Sequence, residues 1–441
     1  MSHDHDDLHL IDDRFFTQEP KQRALCGYLL NRIITLPLIC SPCTSSAAQL
    51  FPPHPAATPT DWMLTRRPEI LQHLYAHRVL SAGQLQQEDP RAVWQLFAEN
   101  FFLLRGTPAA AWLTDELYTV FGVRHKLSAR TAQEAYETIE AALANPDFTA
   151  PRLLDPLHIE TLCTSETAVD ALDFVRDARI RPAFCPDALF NLQSPDWKNQ
   201  VDRLSQASGI DCAAYAGFCQ ALENRRAFFR QAGSTAVSIT TPFAFTTQLS
   251  ASEAGRIFQQ ALQGNLTPAE AALLQGHLLL ETARQSSVDG LPVHWRIASG
   301  SQKLDLTNNL RPLLDALGHH PTLKIILSTA APTADQLELA PLAAEYPALL
   351  LGSPLPPHNG PQALRQHFRL VAEQTGPYKL AGLTASAGVI TALPAQHEIY
   401  RRLAVDWIAE LIVQGRLDLE DAEELVCDLV YYLPRHIYQS A

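Results

Sequence analysis

The chain has 441 residues, of which 46% are hydrophobic and 18% charged, a composition of globular proteins with a large core that excludes a disordered chain. Asp and Glu outnumber Lys and Arg 47 to 34, and the formal charge of −13 repels phosphate backbones and anionic lipid, which excludes nucleic acid and membrane as partners. The 8 cysteines are irregularly spaced, no basic leader precedes them and no apolar run is long enough to span a bilayer, so free thiols in the cytoplasm are expected.

In chain order, the leader Met1 to Asp7, with His3 and His5 among aspartates, reads as a solvated acidic tail. A first strand is predicted over Leu36 to Cys40, and the Pro-rich stretch Phe51 to Thr60 reads as a rigid connector. From Asp61 to Leu143 the pattern is mostly helical and far too long for a crossover, which predicts an inserted helical subdomain. Strands follow at His158 to Cys163 and Ile180 to Phe184, with an amphipathic helix over Thr167 to Ala178 between them, and then at Ala236 to Thr240. The excursion Ser250 to Ala283 holds two helices, the second opened by Thr267, Pro268 and Glu270. The last strands are Val293 to Ala298, Leu323 to Ser328, Ala348 to Gly352 and Lys379 to Thr384, alternating with helices Pro332 to Glu345 and Gln362 to Glu373. Closing helices run from His397 to Tyr432, broken by Gly415 and stopped near Pro434. Eight strand-helix units predict an α/β fold, a (β/α)8 TIM-type barrel divided into 1–60, an insertion at 61–157, and the remaining barrel at 158–441.

Catalytic groups of such a barrel come from strand C-termini and the loops behind them. Those places hold Ser41 and Cys43, Ser165 and Glu166, Cys185 and Asp187, Ser238 and Thr240, His294 and Arg296, Ser328, Gly352 and Ser353, and Thr384 to Ala387. An open metal site takes about three protein ligands, and the rim offers only His294, Glu166 and Asp187 from different strands, so no metal is expected. Cys40 and Cys43 form a C-x-x-C with no second pair to complete it and read as inert thiols. Without a G-x-S-x-G elbow, P-loop or dinucleotide fingerprint, no nucleotide cofactor is expected. Arg296, inside a strand, either meets an anion at the barrel mouth or is neutralised by a neighbouring carboxylate, and the sequence leaves both open.

Three blocks, TPAAAWLTDELYTVFGV at Thr107 to Val123, CTSETAVDAL at Cys163 to Leu172 and RPAFCPDALFNL at Arg181 to Leu192, resemble the uronate isomerase family. So does Leu383 through Arg402, with His397, Glu398, Tyr400, Arg401 and Arg402 in family spacing; the likeness covers nearly the whole chain. The resemblance implies a metal-dependent-hydrolase-type barrel interconverting glucuronate and fructuronate, or galacturonate and tagaturonate. It also implies a divalent ion held by a His-x-His after strand one, which falls here on Ser41 and Cys43. The family's Arg after strand three falls on Cys185, with Pro186, Asp187 and Asn191 kept, and its strand-five His falls on Arg296. Its Ser-Asp-His segment falls on Val237, Ser238 and Ile239, and its Thr-Asp-Ser-Arg turn reads Thr384, Ala385, Ser386, Ala387. Scaffold positions such as Trp112, Glu116, Pro182 and Tyr400 match.

The expectation drawn from these departures is a family member without the metal site or isomerase activity, binding a sugar acid or a partner protein. Two alternatives stay open: a divergent active isomerase, and a lyase or hydrolase using Cys43 or Cys185. The catalytic candidates are His294, Asp187 and Glu166, and the substrate-binding candidates are Arg296, Asn191, Ser386 and Ser41. A homo-oligomer is open as well.

Overall fold

The computed structural model describes residues 7–51, 57–173, 177–298, 305–330, 332–356, 359–385 and 387–439. Seven strands, β1 (Leu38–Cys40), β2 (Ile159–Thr167), β3 (Ile180–Cys185), β4 (Val237–Thr241), β5 (Val293–Ile297), β6 (Ile325–Thr329) and β7 (Leu349–Leu351), pair in parallel in sequence order. Alternation along a strand decides what each residue meets. On β5, Val293, Trp295 and Ile297 join the apolar layer under the helices, while His294 and Arg296 take the opposite parity and enter the barrel.

The eighth segment closes the barrel with less regular pairing than the predicted strand Lys379 to Thr384. It begins as a 3-10 turn, Pro377–Lys379, makes one parallel bridge from Leu380 to Leu351, and donates Ala381 N to Leu351 O at 2.9 Å. Gly382 then adopts φ +86°, a conformation that interrupts a β ladder, and a Cβ there would fall 2.7 Å from Pro434 Cγ. Beyond it, Thr384 N donates to Ser353 Oγ at 2.8 Å and Ala385 N to Ser41 Oγ at 3.1 Å, so hydroxyls stand in for backbone partners where this segment meets the chain just after β7 and β1.

Two further expectations are corrected. No helix occupies the described part of Thr167 to Ala178: β2 runs to Thr167, Asp170 accepts from Thr167 N at 2.8 Å, and Leu172 takes φ +62°. Arg225 holds the turn by donating to Ala168 O and Asp170 O at 2.8 and 2.6 Å, so tertiary contacts override the amphipathic spacing. Nor does Pro434 end the chain's helices, because it sits in the first turn of Leu433–Gln439, where a missing N–H costs nothing. That C-terminal helix presses Ile437 and Tyr438 against Ile39, Cys163, Ala236 and Ile326 and plugs the barrel floor. Glu160 anchors it, accepting from Arg435 and Gln439 at 3.1 and 2.9 Å and from Tyr431, in the turn before it, at 2.7 Å.

Between β1 and β2 the described residues form helices, among them Pro90–Glu99, Pro108–Thr119 and Ala132–Ala144. Their core is continuous with Leu38, Ala385 and Leu393. Arg67 donates to both oxygens of Glu116 at 2.6 Å, and Thr391 Oγ1 donates to the same carboxylate at 2.6 Å, with all three side chains buried. Part of the Pro-rich connector, 52–56, lies outside the described residues. Among the described residues no helix is long and apolar enough to cross a membrane.

Candidate ligand site in the barrel lumen

The lumen is lined near its upper end by small hydroxyl side chains around one cation. Arg296 is 2% exposed and donates from Nη1 to Ser238 Oγ at 2.9 Å. Ser238 and Ser165 lie 2.7 Å apart, and Ser165 Oγ donates to Cys43 O at 2.6 Å. Since Ser165 spends its proton on that carbonyl, Ser238 donates to Ser165, and the chain runs in one direction from Arg296 to β1. Gly352 makes a second crossing: a Cβ there would lie 2.2 Å from Ser328 Oγ and 2.6 Å from Thr384 Oγ1, two hydroxyls bonded at 2.7 Å.

Arg296 Nε and Nη2 are buried and have no partner. These two atoms share one edge of the guanidinium and form the fork that matches a carboxylate bidentately. Burial lowers the pKa of Arg296, opposed by the nearby Cys43 and Asp187. No side-chain carboxylate is bonded to it among the described residues, and the nearby Asp187 acts on it through charge alone.

Asp187 heads the turn after β3, and both its oxygens accept from Thr240 N, at 3.0 and 3.1 Å. Burial pushes its pKa up to about 6, while the Thr240 N–H, the Cys185 thiol and Arg296 hold it down. It lines an open cleft of about 410 Å³ together with Asn191, Ile239, Thr240, Phe243 and Gln275. Burial raises the Cys185 thiol well above its ordinary range and Cys43 to about 11. Neither is a thiolate at neutral pH, so neither is activated as a nucleophile.

The remaining candidates divide. His294 lies in the lumen, its Nδ1 3.0 Å from Tyr438 OH and its Nε2 unpartnered; burial foremost, then Arg296, lowers its pKa well below the ordinary value. Glu166 has the opposite parity to Ser165 on β2, and its buried Oε1 accepts from Ala47 N at 2.7 Å, at the start of a short helix. Ser41 is buried and bonded to Ala385. Asn191 is exposed on the cleft, and Ser386 lies outside the described residues. Arg296 and His294 therefore share the lumen, Asp187 lies on the rim cleft within reach of the Arg296 charge, and Glu166 is elsewhere. Sequence reasoning missed Tyr438 and the Ser238–Ser165 relay. The serines carried a signal in their shared inward parity, but no periodicity announces that a C-terminal tyrosine turns into a barrel floor.

The sequence pattern of the glucuronate isomerase family matches residues 83–326. A uronate isomerase of Nostoc punctiforme is 36% identical, covering 98% of this chain and 98% of its own length. One of Xanthomonas campestris pv. campestris is 32% identical, covering 98% and 99%. The crystal structure of a glucuronate isomerase from Caulobacter crescentus superposes with a TM-score of 0.93 at 30% identity, covering 98% of each chain. A uronate isomerase from Thermotoga maritima, at 20% identity, shares the fold with a TM-score of 0.87 over 98% of this chain and 99% of that one.

Proposed function

The chain belongs to the uronate isomerase family, and from that premise we propose that its barrel binds a hexuronate by the carboxylate and interconverts its aldose and ketose forms. The observation that carries this reading is the free Nε and Nη2 edge of the buried Arg296, because a desolvated fork without an acceptor favours a planar ligand group with one negative charge shared by two oxygens over a neutral one. Full-length likeness to uronate isomerases supports the choice of sugar acid.

The reaction moves a proton between adjacent carbons and needs a base poised near neutrality. Asp187 fits that need on its pKa of about 6 and its place at the rim within electrostatic reach of Arg296. The hydroxyls of Ser165 and Ser238 would fix the orientation of the guanidinium rather than take part in the transfer.

The divalent ion implied by the family resemblance does not fit these residues. At the strand-one positions, Ser41 Oγ is bonded by the Ala385 N–H, and the protonated Cys43 thiol points to Ser45 O at 3.2 Å. Arg296 already brings a positive charge to Cys43 and Asp187, which opposes a second cation there. We therefore propose that the protein works without a metal.

A second reading, a barrel that binds a sugar acid without turning it over, is favoured by the structural bonds that occupy the candidate acid–base groups: Asp187 to Thr240 N, Glu166 to Ala47 N and His294 to Tyr438. Assay of chelator-treated protein on glucuronate and galacturonate separates the two. Turnover that falls at least about 100-fold in Asp187→Asn supports the isomerase. Saturable binding with no turnover selects the non-catalytic barrel.

A further inference from the structure

We propose that the carboxylate receptor has a third donor, the Nε2–H of His294, and that Tyr438 on the C-terminal helix is the positioning residue that makes it a donor. The inference rests on Arg296 being the carboxylate anchor. His294 precedes Arg296 by two positions on β5, so both side chains enter the lumen from the same face. His294 is fully buried, its ring lies 17° from parallel to that of Tyr438, and its Nε2 has no partner.

The tautomer follows from where protons can go. Burial keeps the imidazole neutral, so it carries a single N–H. Tyr438 is also buried and holds its phenolic proton, and its recorded bond among the described residues is the 3.0 Å contact to His294 Nδ1. A phenol donating to Nδ1 leaves the imidazole proton on Nε2. The lumen then presents three buried donors without acceptors, Arg296 Nε, Arg296 Nη2 and His294 Nε2. A carboxylate, with about four lone-pair sites, has the capacity to accept from all three.

This arrangement sets direction as well as affinity. His294 lies beside the floor residue Tyr438, and Asp187 is at the rim, so the acid end of the sugar points inward and the carbonyl end toward Asp187. A neutral aldose, lacking the carboxylate, leaves the donors unpaired and is rejected.

Calorimetry with glucuronate and galacturonate, together with nitrogen NMR of labelled histidine, tests the proposal. The wild-type resonance that disappears in His294→Gln should report a proton on Nε2, a readout that needs one folded His294 variant for its assignment and no binding. Binding should weaken about tenfold or more in His294→Phe, and be restored to within about threefold in His294→Gln, whose amide nitrogen reaches the Nε2 position. Tyr438→Phe should shift the resonance toward the other tautomer and weaken binding severalfold. A wild-type proton on Nδ1, or affinity unchanged in His294→Phe while Arg296→Met abolishes binding, overturns the third donor alone. Affinity unchanged in Arg296→Met overturns the reading beneath it.

Discussion

Arg296 shows how burial and partner geometry together give a charged side chain its meaning. A guanidinium inside a strand is explained equally well by an internal carboxylate or by an external anion, and only the bonds made by each nitrogen distinguish them. Here one nitrogen is spent on Ser238 and the bidentate edge is unspent. Arg296→Lys keeps the charge but not the fork, so it should bind a hexuronate at least about tenfold more weakly than the wild type in calorimetry. Asp187 makes a separate prediction. Its pKa is raised to about 6, and a base must be deprotonated, so kcat/KM should be flat above that value and fall about tenfold per pH unit below it. His294 adds no limb in this range, because its pKa lies well below the ordinary value. A profile measured from pH 5 to 8 that shows no acid limb near 6 would remove Asp187 from the reaction.

At the scale of elements, seven strands were legible in the sequence to within a few residues because fully buried parallel strands are short aliphatic runs between turn residues. The eighth was legible only as a run. What governs it is Gly382 at φ +86° against Pro434 and the hydroxyl bonds to Ser353 and Ser41, which depend on residues distant in the chain. The helix expected over Thr167 to Ala178 failed for a related reason: Arg225, from another helix, captures the backbone of that turn. The candidate site was legible in its rim residues but not in their pairing, since parity along β2 sends Glu166 away from the lumen that Ser165 enters. Gly352 tests the closure directly. In Gly352→Ala the new Cβ collides with Ser328 and Thr384, so the variant should lose about 1–3 kcal/mol of stability, seen as a lower midpoint in thermal or denaturant unfolding. An unchanged midpoint would show that the Ser328–Thr384 contact does not hold the barrel shut.

The whole molecule joins its long helical stretch to the barrel through a continuous core and through Thr391, which bonds to the buried Arg67–Glu116 pair of that stretch. Arg67 and Glu116 bind each other beneath the surface, and Thr391, in the segment following the eighth strand, binds the same carboxylate. Removing one partner leaves the other charge buried and unpaired, so Arg67→Met should cost about 3–5 kcal/mol, measured as a shift in the urea midpoint. Replacing both Arg67 and Glu116 with apolar residues should recover much of that loss. The central question for the barrel is what the lumen around Arg296 binds. Titration calorimetry of glucuronate and galacturonate into the wild-type protein and Arg296→Met, with the neutral sugars as controls, measures it most directly. Saturable binding of a uronate to the wild type is expected, with none of the neutral sugar and none to Arg296→Met; a uronate bound equally well by the variant would remove Arg296 as the carboxylate anchor.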